Sequence, residues 1–266
     1  MSGDGLERIA AAFAGSGKHA ALMPYLMAGF PTLASSRAIG EACVAAGADL
    51  LELGVPYTDP LADGPVIHAA GTRALENGAT LAGVLQVAHA LAPSVPVVLM
   101  CYANMVFAPG ADEFVRAVAA TGACGLIVPD LPLEEASVVR EPCERERLAL
   151  VPLIAPTTPP ERLHAIGSQA RGFVYAVSVI GTTGERDSVQ AHLREVVARA
   201  RASTAVPVAV GFGISTPAHA RAAADAGADG VIVGTRLVRA AGESSDPPAA
   251  VGELVRELAA GLQRAR

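Results

Sequence analysis

Of the twenty basic residues in this 266-residue chain, only Lys18 is a lysine, and it lies before the first strand-like run. Schiff-base chemistry needs a lysine amine at the end of a buried strand. None is present, so that mechanism is excluded. Six histidines (His19, His68, His89, His164, His192, His219) are scattered, with no His-x-His and no His-Glu pair at a strand end. A metal-dependent aldolase needs such clustered ligands, and no metal is expected. Four cysteines (Cys43, Cys101, Cys124, Cys143) form no C-x-x-C. They are expected to be small buried apolar residues in a reducing compartment. Cys101 ends a strand-like run, but no histidine falls beside it to activate a nucleophile.

Tryptophan is absent and aromatics make up 4% of the chain, so alanine, valine and leucine must fill the core. No apolar run approaches the ~20 residues of a membrane span, and the first residues carry no basic and apolar leader pattern. A soluble, cytoplasmic protein is expected. The formal charge is −6, and arginines do not cluster with aromatics. A phosphate backbone selects a basic face, so nucleic acid is not an expected partner. No G-x-G-x-x-G turn follows an early apolar run, which argues against a dinucleotide-binding fold.

What is present is a repeated unit. Short apolar runs at residues 22–27, 49–53, 97–102, 125–129, 149–154, 173–179, 206–211 and 230–234 alternate with helical patterns. The patterns lie at residues 35–46, 80–92, 111–120, 133–146, 159–168, 188–201, 216–226 and 247–263. Continuous apolar runs between helices specify a parallel sheet covered on both faces. Eight of them in this length predict one closed (β/α)8 barrel, an α/β fold, spanning residues 1–266 as a single domain. A helix over residues 6–14 precedes the first strand and is placed to plug the barrel floor. Shorter helices are expected at 65–76 and at 235–240, the latter an extra helix after strand eight. Residues 243–248 are expected to be a linker.

In such barrels chemistry gathers on the loops that follow the strands. The second of these is the most informative stretch: residues 51–65, LELGVPYTDPLADGP. Glu52 lies between Leu51 and Leu53 in a strand expected to be buried. A lone carboxylate there is costly unless it is paired, hydrogen-bonded or used, and burial raises its pKa toward that of a group able to give and take a proton. Asp63, eleven positions on, belongs to a polar loop and is expected to stay ionised. It is also placed to cap the 65–76 helix, and one role does not exclude the other. Asp59 lies in the same loop and also suits a plain turn. Glycines ending strands seven and eight (Gly211, Gly213, Gly234), with the Thr235 hydroxyl and a helix N-terminus, suit a phosphate monoester. Gly184 on loop six is placed to close over it.

These residues resemble the α subunit of tryptophan synthase along essentially the whole chain. Residues 51–65 match the family signature LELGxPxxDPxADGP. Residues 24–26 with 28–29, 102–104, 129–132, 175–178 with 181–184, 211–215 and 234–235 add support. The resemblance implies retro-aldol cleavage of indole-3-glycerol phosphate to indole and glyceraldehyde 3-phosphate. Glu52 matches the acid/base residue and Asp63 the carboxylate that holds the indole N–H. Tyr25, Phe212 and Ile214 match pocket walls, and Tyr175 sits on the catalytic strand nearby. Thr183 matches the loop-six residue that bonds the Asp63 equivalent on closure. Asp59 matches the surface facing the β subunit in an α2β2 complex. Pyridoxal phosphate then belongs to β, and no cofactor is implied for this chain. The residues alone also fit a free-standing indole-glycerol phosphate lyase, or a barrel that mainly activates a partner. The chain departs from the pattern at Met27, Phe30, residues 179–180 and Thr235.

Overall fold

The computed structural model describes residues 3–177, 186–211 and 213–264. The chain runs α1 (Gly5–Gly15), β1 (Ala21–Met27), α2 (Leu33–Ala45), β2 (Leu51–Gly54), α3 (Pro65–Glu76), α4 (Leu81–Leu91) and β3 (Val97–Met100). It continues through α5 (Ala103–Phe107), α6 (Ala111–Ala120), β4 (Gly125–Ile127), α7 (Ser137–Arg145), β5 (Ala149–Val151), β6 (Leu153–Ile154) and α8 (Pro160–Gln169). Last come β7 (Val174–Val177), α9 (Arg186–Ser203), β8 (Val208–Gly211), α10 (Pro217–Asp225), β9 (Gly230–Val233), α11 (Thr235–Glu243) and α12 (Pro247–Gly261).

Local signals set many helix starts. Thr32, Thr80 and Thr216 each accept a backbone N–H through the side chain as N-caps of α2, α4 and α10. Asp4 forms a reciprocal capping box with Glu7 on α1. Each such cap satisfies donors that the first turn leaves free.

All strand pairs are parallel, and the sheet order is β5-β4-β3-β2-β1-β9-β8-β7-β6. β5 and β6 are one stave divided at Pro152. Its first part pairs with β4 and its second with β7. The proline has no N–H to give, yet its carbonyl accepts from Tyr175 N at 3.0 Å. The result is the expected eight-stave (β/α)8 barrel, with the fifth stave broken rather than continuous.

Strand side chains alternate between two cores. One set, including Leu22, Leu26, Leu51, Leu53, Val97, Leu99, Val208 and Val210, packs outward under the helices. The other, including Met23, Tyr25, Val98, Ile127, Val151, Phe173, Tyr175, Ala209 and Ile232, fills the barrel. From α1, Ile9 joins this interior set with Leu6 and Phe13 against it, and the Phe13 and Phe173 rings lie 5.7 Å apart. The N-terminal helix therefore plugs the floor as expected. Arg8, on the same helix, donates to the carbonyls of Ala92, Val95 and Gly122 beyond the ends of α4 and α6. Lys18 is also at the floor, 7% exposed and bonded to Asp49 at 2.9 Å. Asp49 in turn accepts Leu22 N at 2.7 Å.

Four expectations are corrected. α5 interrupts the segment after β3, where no helix is expected. Residues 131–136 form turns, so α7 begins at Ser137 rather than 133. There Glu135 N and Ala136 N bond to the carbonyls three residues back, of Pro132 and Leu133, so the chain closes as turns. α11 extends to Glu243, leaving residues 244–246 as the connection to α12. β8 starts at Val208, because Pro207 contributes only its carbonyl, to Val174 N.

Candidate active site

Glu52 points into the barrel from β2, opposite Tyr25 in the register with β1. It is 1% exposed, and among the described residues neither carboxylate oxygen has a hydrogen-bond partner. Of the ways to offset its burial, pairing and hydrogen bonding are therefore not seen among the described residues. Burial, with the nearby Asp63 charge adding to it, pushes its pKa to about 8. At neutral pH the carboxyl holds its proton.

Two phenols share this layer. Tyr25 and Tyr175 are both buried, and burial first, then the nearby carboxylates, raises each pKa well above the ordinary value. Both stay protonated. Their rings need space that glycines supply. A Cβ on Gly54 would lie 2.0 Å from the Tyr25 hydroxyl, and one on Gly211 would lie 2.2 Å from that of Tyr175. Gly211, expected to help a phosphate, thus has another duty: it leaves room for Tyr175.

Asp63 ends the loop of residues 55–64. It does not cap α3: the N-cap is Gly64, with no side-chain bond and Pro65 in the first turn. Asp63 Oδ1 instead accepts the Tyr102 hydroxyl at 3.0 Å. Partial burial raises its pKa, and the Tyr102 bond and the His68 charge oppose that rise. Tyr102 also accepts Ala62 N at 3.1 Å. It appears in the sequence only as part of a supporting motif, and its partner lies 39 residues away. Asp59 is exposed, with the neighbouring Thr58 hydroxyl donating to it at 3.0 Å.

On the far side of the mouth, Gly213 has φ +75° and is exposed, and Ile214 is buried. Gly234 is the N-cap of α11, and Thr235 is exposed in the first turn. The free N–H groups of that turn carry partial positive charge. Thr183, Gly184 and Phe212 lie outside the described residues. An open cavity of about 590 Å³ lies over β4 to β7 and reaches α7 and α8, with Pro129, Arg140, Val151, Leu153, Arg162 and Val177 in its wall. Leu153 and Val177 pack against the interior set that holds Tyr25 and Tyr175. Tyr25, Glu52, Asp63, Tyr175, Gly213 and Gly234 are not in that wall. Among the described residues no group of three His, Cys, Asp or Glu is placed to hold a metal ion. The four cysteines are buried free thiols, and burial raises the pKa of each.

The arrangement joins a protonated, dry carboxyl to a second carboxylate on the loop above it, beside an apolar cavity and a helix N-terminus. The chain as a whole is similar to known proteins. The family described as tryptophan synthase alpha chain matches residues 12–265. The tryptophan synthase alpha chain of Rippkaea orientalis is 44% identical over 250 residues, covering 92% of this chain and 94% of that one. The alpha chain of Methanosarcina mazei is 44% identical over 248 residues, covering 93% and 91%. Among solved structures, an open form of tryptophan synthase from M. tuberculosis superposes with TM-score 0.88 at 38% identity, covering 97% of this chain and 99% of that one. The tryptophan synthase α2β2 complex of Pyrococcus furiosus gives 0.84 at 37% identity, covering 91% and 97%.

Proposed function

Since this chain belongs to the tryptophan synthase alpha chain family, we propose that it cleaves indole-3-glycerol phosphate with Glu52 as proton donor and acceptor and Asp63 as charge stabiliser. The observation that carries the roles is Glu52: a buried carboxyl held protonated near neutral pH. The Glu52 carboxyl gives its proton to indole C3. The ring becomes a cation, and the Asp63 carboxylate accepts the ring N–H and steadies that charge. Glu52, now ionised, takes the proton of the side-chain hydroxyl on the carbon bonded to C3. The C–C bond breaks, its electrons restore the indole ring, and that carbon becomes the aldehyde. Glu52 ends with the proton it began with. The cycle requires no redox partner, and this reading assigns the chain no cofactor.

Tyr25, Tyr175 and Ile214 wall the indole. Gly213, Gly234 and Thr235 at the α11 N-terminus hold the phosphate. Phe212, Thr183 and Gly184 complete the wall and the cover. Asp59, on an exposed loop, faces a β subunit in an α2β2 assembly. Pyridoxal phosphate belongs to that partner, which consumes the indole. The whole chain is taken as one domain working in the cytoplasm. No described helix is long and apolar enough to cross a membrane.

The test is glyceraldehyde 3-phosphate release from indole-3-glycerol phosphate by the purified chain, with and without a tryptophan synthase β subunit. Slow release alone and a large rise with β are expected. Fast release that β leaves unchanged would favour a free-standing lyase, and no release in either case would overturn the assignment. Glu52→Gln is expected to lower kcat by about 10²-fold or more. Near wild-type cleavage by that variant would remove Glu52 from the mechanism.

A further inference from the structure

We propose that Tyr102 is a positioning residue for Asp63, the inner end of a strut that runs inward from Asn104 and Tyr57. The inference rests on the role given to Asp63 above. Asp63 belongs to a loop without regular structure and is not fixed by capping α3. Its side-chain bond is to Tyr102, which is 4% exposed.

The hydroxyl of Tyr102 has one proton and faces two groups of the same loop. Ala62 N–H donates to it at 3.1 Å, and Asp63 Oδ1 lies at 3.0 Å. A donor on one side leaves the phenol proton for the other, so its direction is set toward the carboxylate. Oδ1 is thereby engaged, while Oδ2 has no hydrogen-bond partner among the described residues and is open to an incoming N–H. The ring is also fixed. It stacks on Tyr57 with centroids 5.2 Å apart and planes inclined 27°. The Tyr57 hydroxyl accepts Asn104 Nδ2 at 3.2 Å. Next to Tyr102, Ala103 N donates to Asp130 Oδ1 at 2.8 Å, which ties this turn to the loop after β4. Tyr57 and Asn104 form the outer end of the strut, half-buried and exposed respectively.

Among the described residues the titratable groups about Asp63 are Glu52 on β2, Tyr25 on β1, His68 on α3 and Tyr102 itself. Of these, Tyr102 is the one that donates a hydrogen bond to it. A donated bond favours the ionised carboxylate. Its loss raises the Asp63 pKa, so the ionised form is lost at a higher pH on the acid side.

Tyr102→Phe keeps the ring stack and deletes only the hydroxyl. The expected result is a kcat lowered about tenfold, a KM within about twofold of the parent, and an acid limb of kcat/KM moved up by about one pH unit. The melting temperature should stay close to that of the parent. Asn104→Ala, which frees only the outer ring, should change kcat in the same direction by about threefold. Parental kcat and acid limb in Tyr102→Phe would overturn the proposal. So would a loss equal at every pH that follows a lowered melting temperature, since that marks packing alone. Asp63→Asn is run alongside. If it keeps parental activity, the role of Asp63 itself fails, which is a different result from an inactive Asp63→Asn beside an unaffected Tyr102→Phe.

Discussion

Glu52 loses solvation on folding and gains no hydrogen bond among the described residues to offset the loss. Its folded pKa of about 8 stands above the ordinary 4.5. Between those values the unfolded chain has released this proton and the native chain still holds it. Native stability must therefore fall as pH rises through that window. Glu52→Gln has no such proton to lose. It should melt above the parent at pH 8.5, with the gap closing toward pH 5; equal melting curves at both pH values would count against the buried charge. In the role proposed for it, the same group is expected to set a basic limb on kcat/KM near pH 8, because only the protonated form would serve C3. Glu52 was legible in the sequence because a carboxylate between two leucines in a buried strand has few explanations. Tyr102 was not, because nothing in local spacing pairs it with a residue in another loop.

Single elements carry separate tasks. The start of α11 and the Gly213 turn offer backbone N–H groups, and the φ of +75° at Gly213 is one that other residues adopt only with strain. Gly213→Val is expected to raise KM for the phosphate ester about tenfold with a smaller change in kcat; unchanged KM would detach this turn from the phosphate. At the opposite end, α1 is pinned by the Arg8 guanidinium to three carbonyls. Arg8→Met keeps the stem and removes the donors. It should cost about 3 kcal/mol in urea unfolding, because charged hydrogen bonds are lost and carbonyls are left facing a thioether. A change within experimental error would show that water replaces the guanidinium there. Helix α3 was predicted to the residue, since Pro65 marks its start and Asn77-Gly78 its stop. The helix α5 was missed because five residues are too few to show a period.

At the scale of the molecule, the floor and the mouth of the barrel differ in kind. The floor is closed by apolar side chains of α1 and by ion pairs. The mouth keeps a carboxyl, two phenols and a cavity. Alternating apolar runs were enough to predict eight staves and their helices. They could not show the break at Pro152, because residues 149–154 are apolar throughout. Nor could they show that Gly54 and Gly211 are spacers for tyrosines, since a glycine at a strand end resembles any turn. Gly54→Ala should destabilise the fold by about 1–3 kcal/mol, as it drives a methyl group into the Tyr25 hydroxyl. An unchanged unfolding midpoint would mean that the ring moves aside freely.

The closed floor has a practical side. Lys18 is the single lysine side chain, and it is covered and held by Asp49. Dyes, cross-linkers and solid supports that target amines find no other side chain to attack. Reaction at Lys18 has to wait for the floor to open, so its labelling rate becomes a clock for that opening.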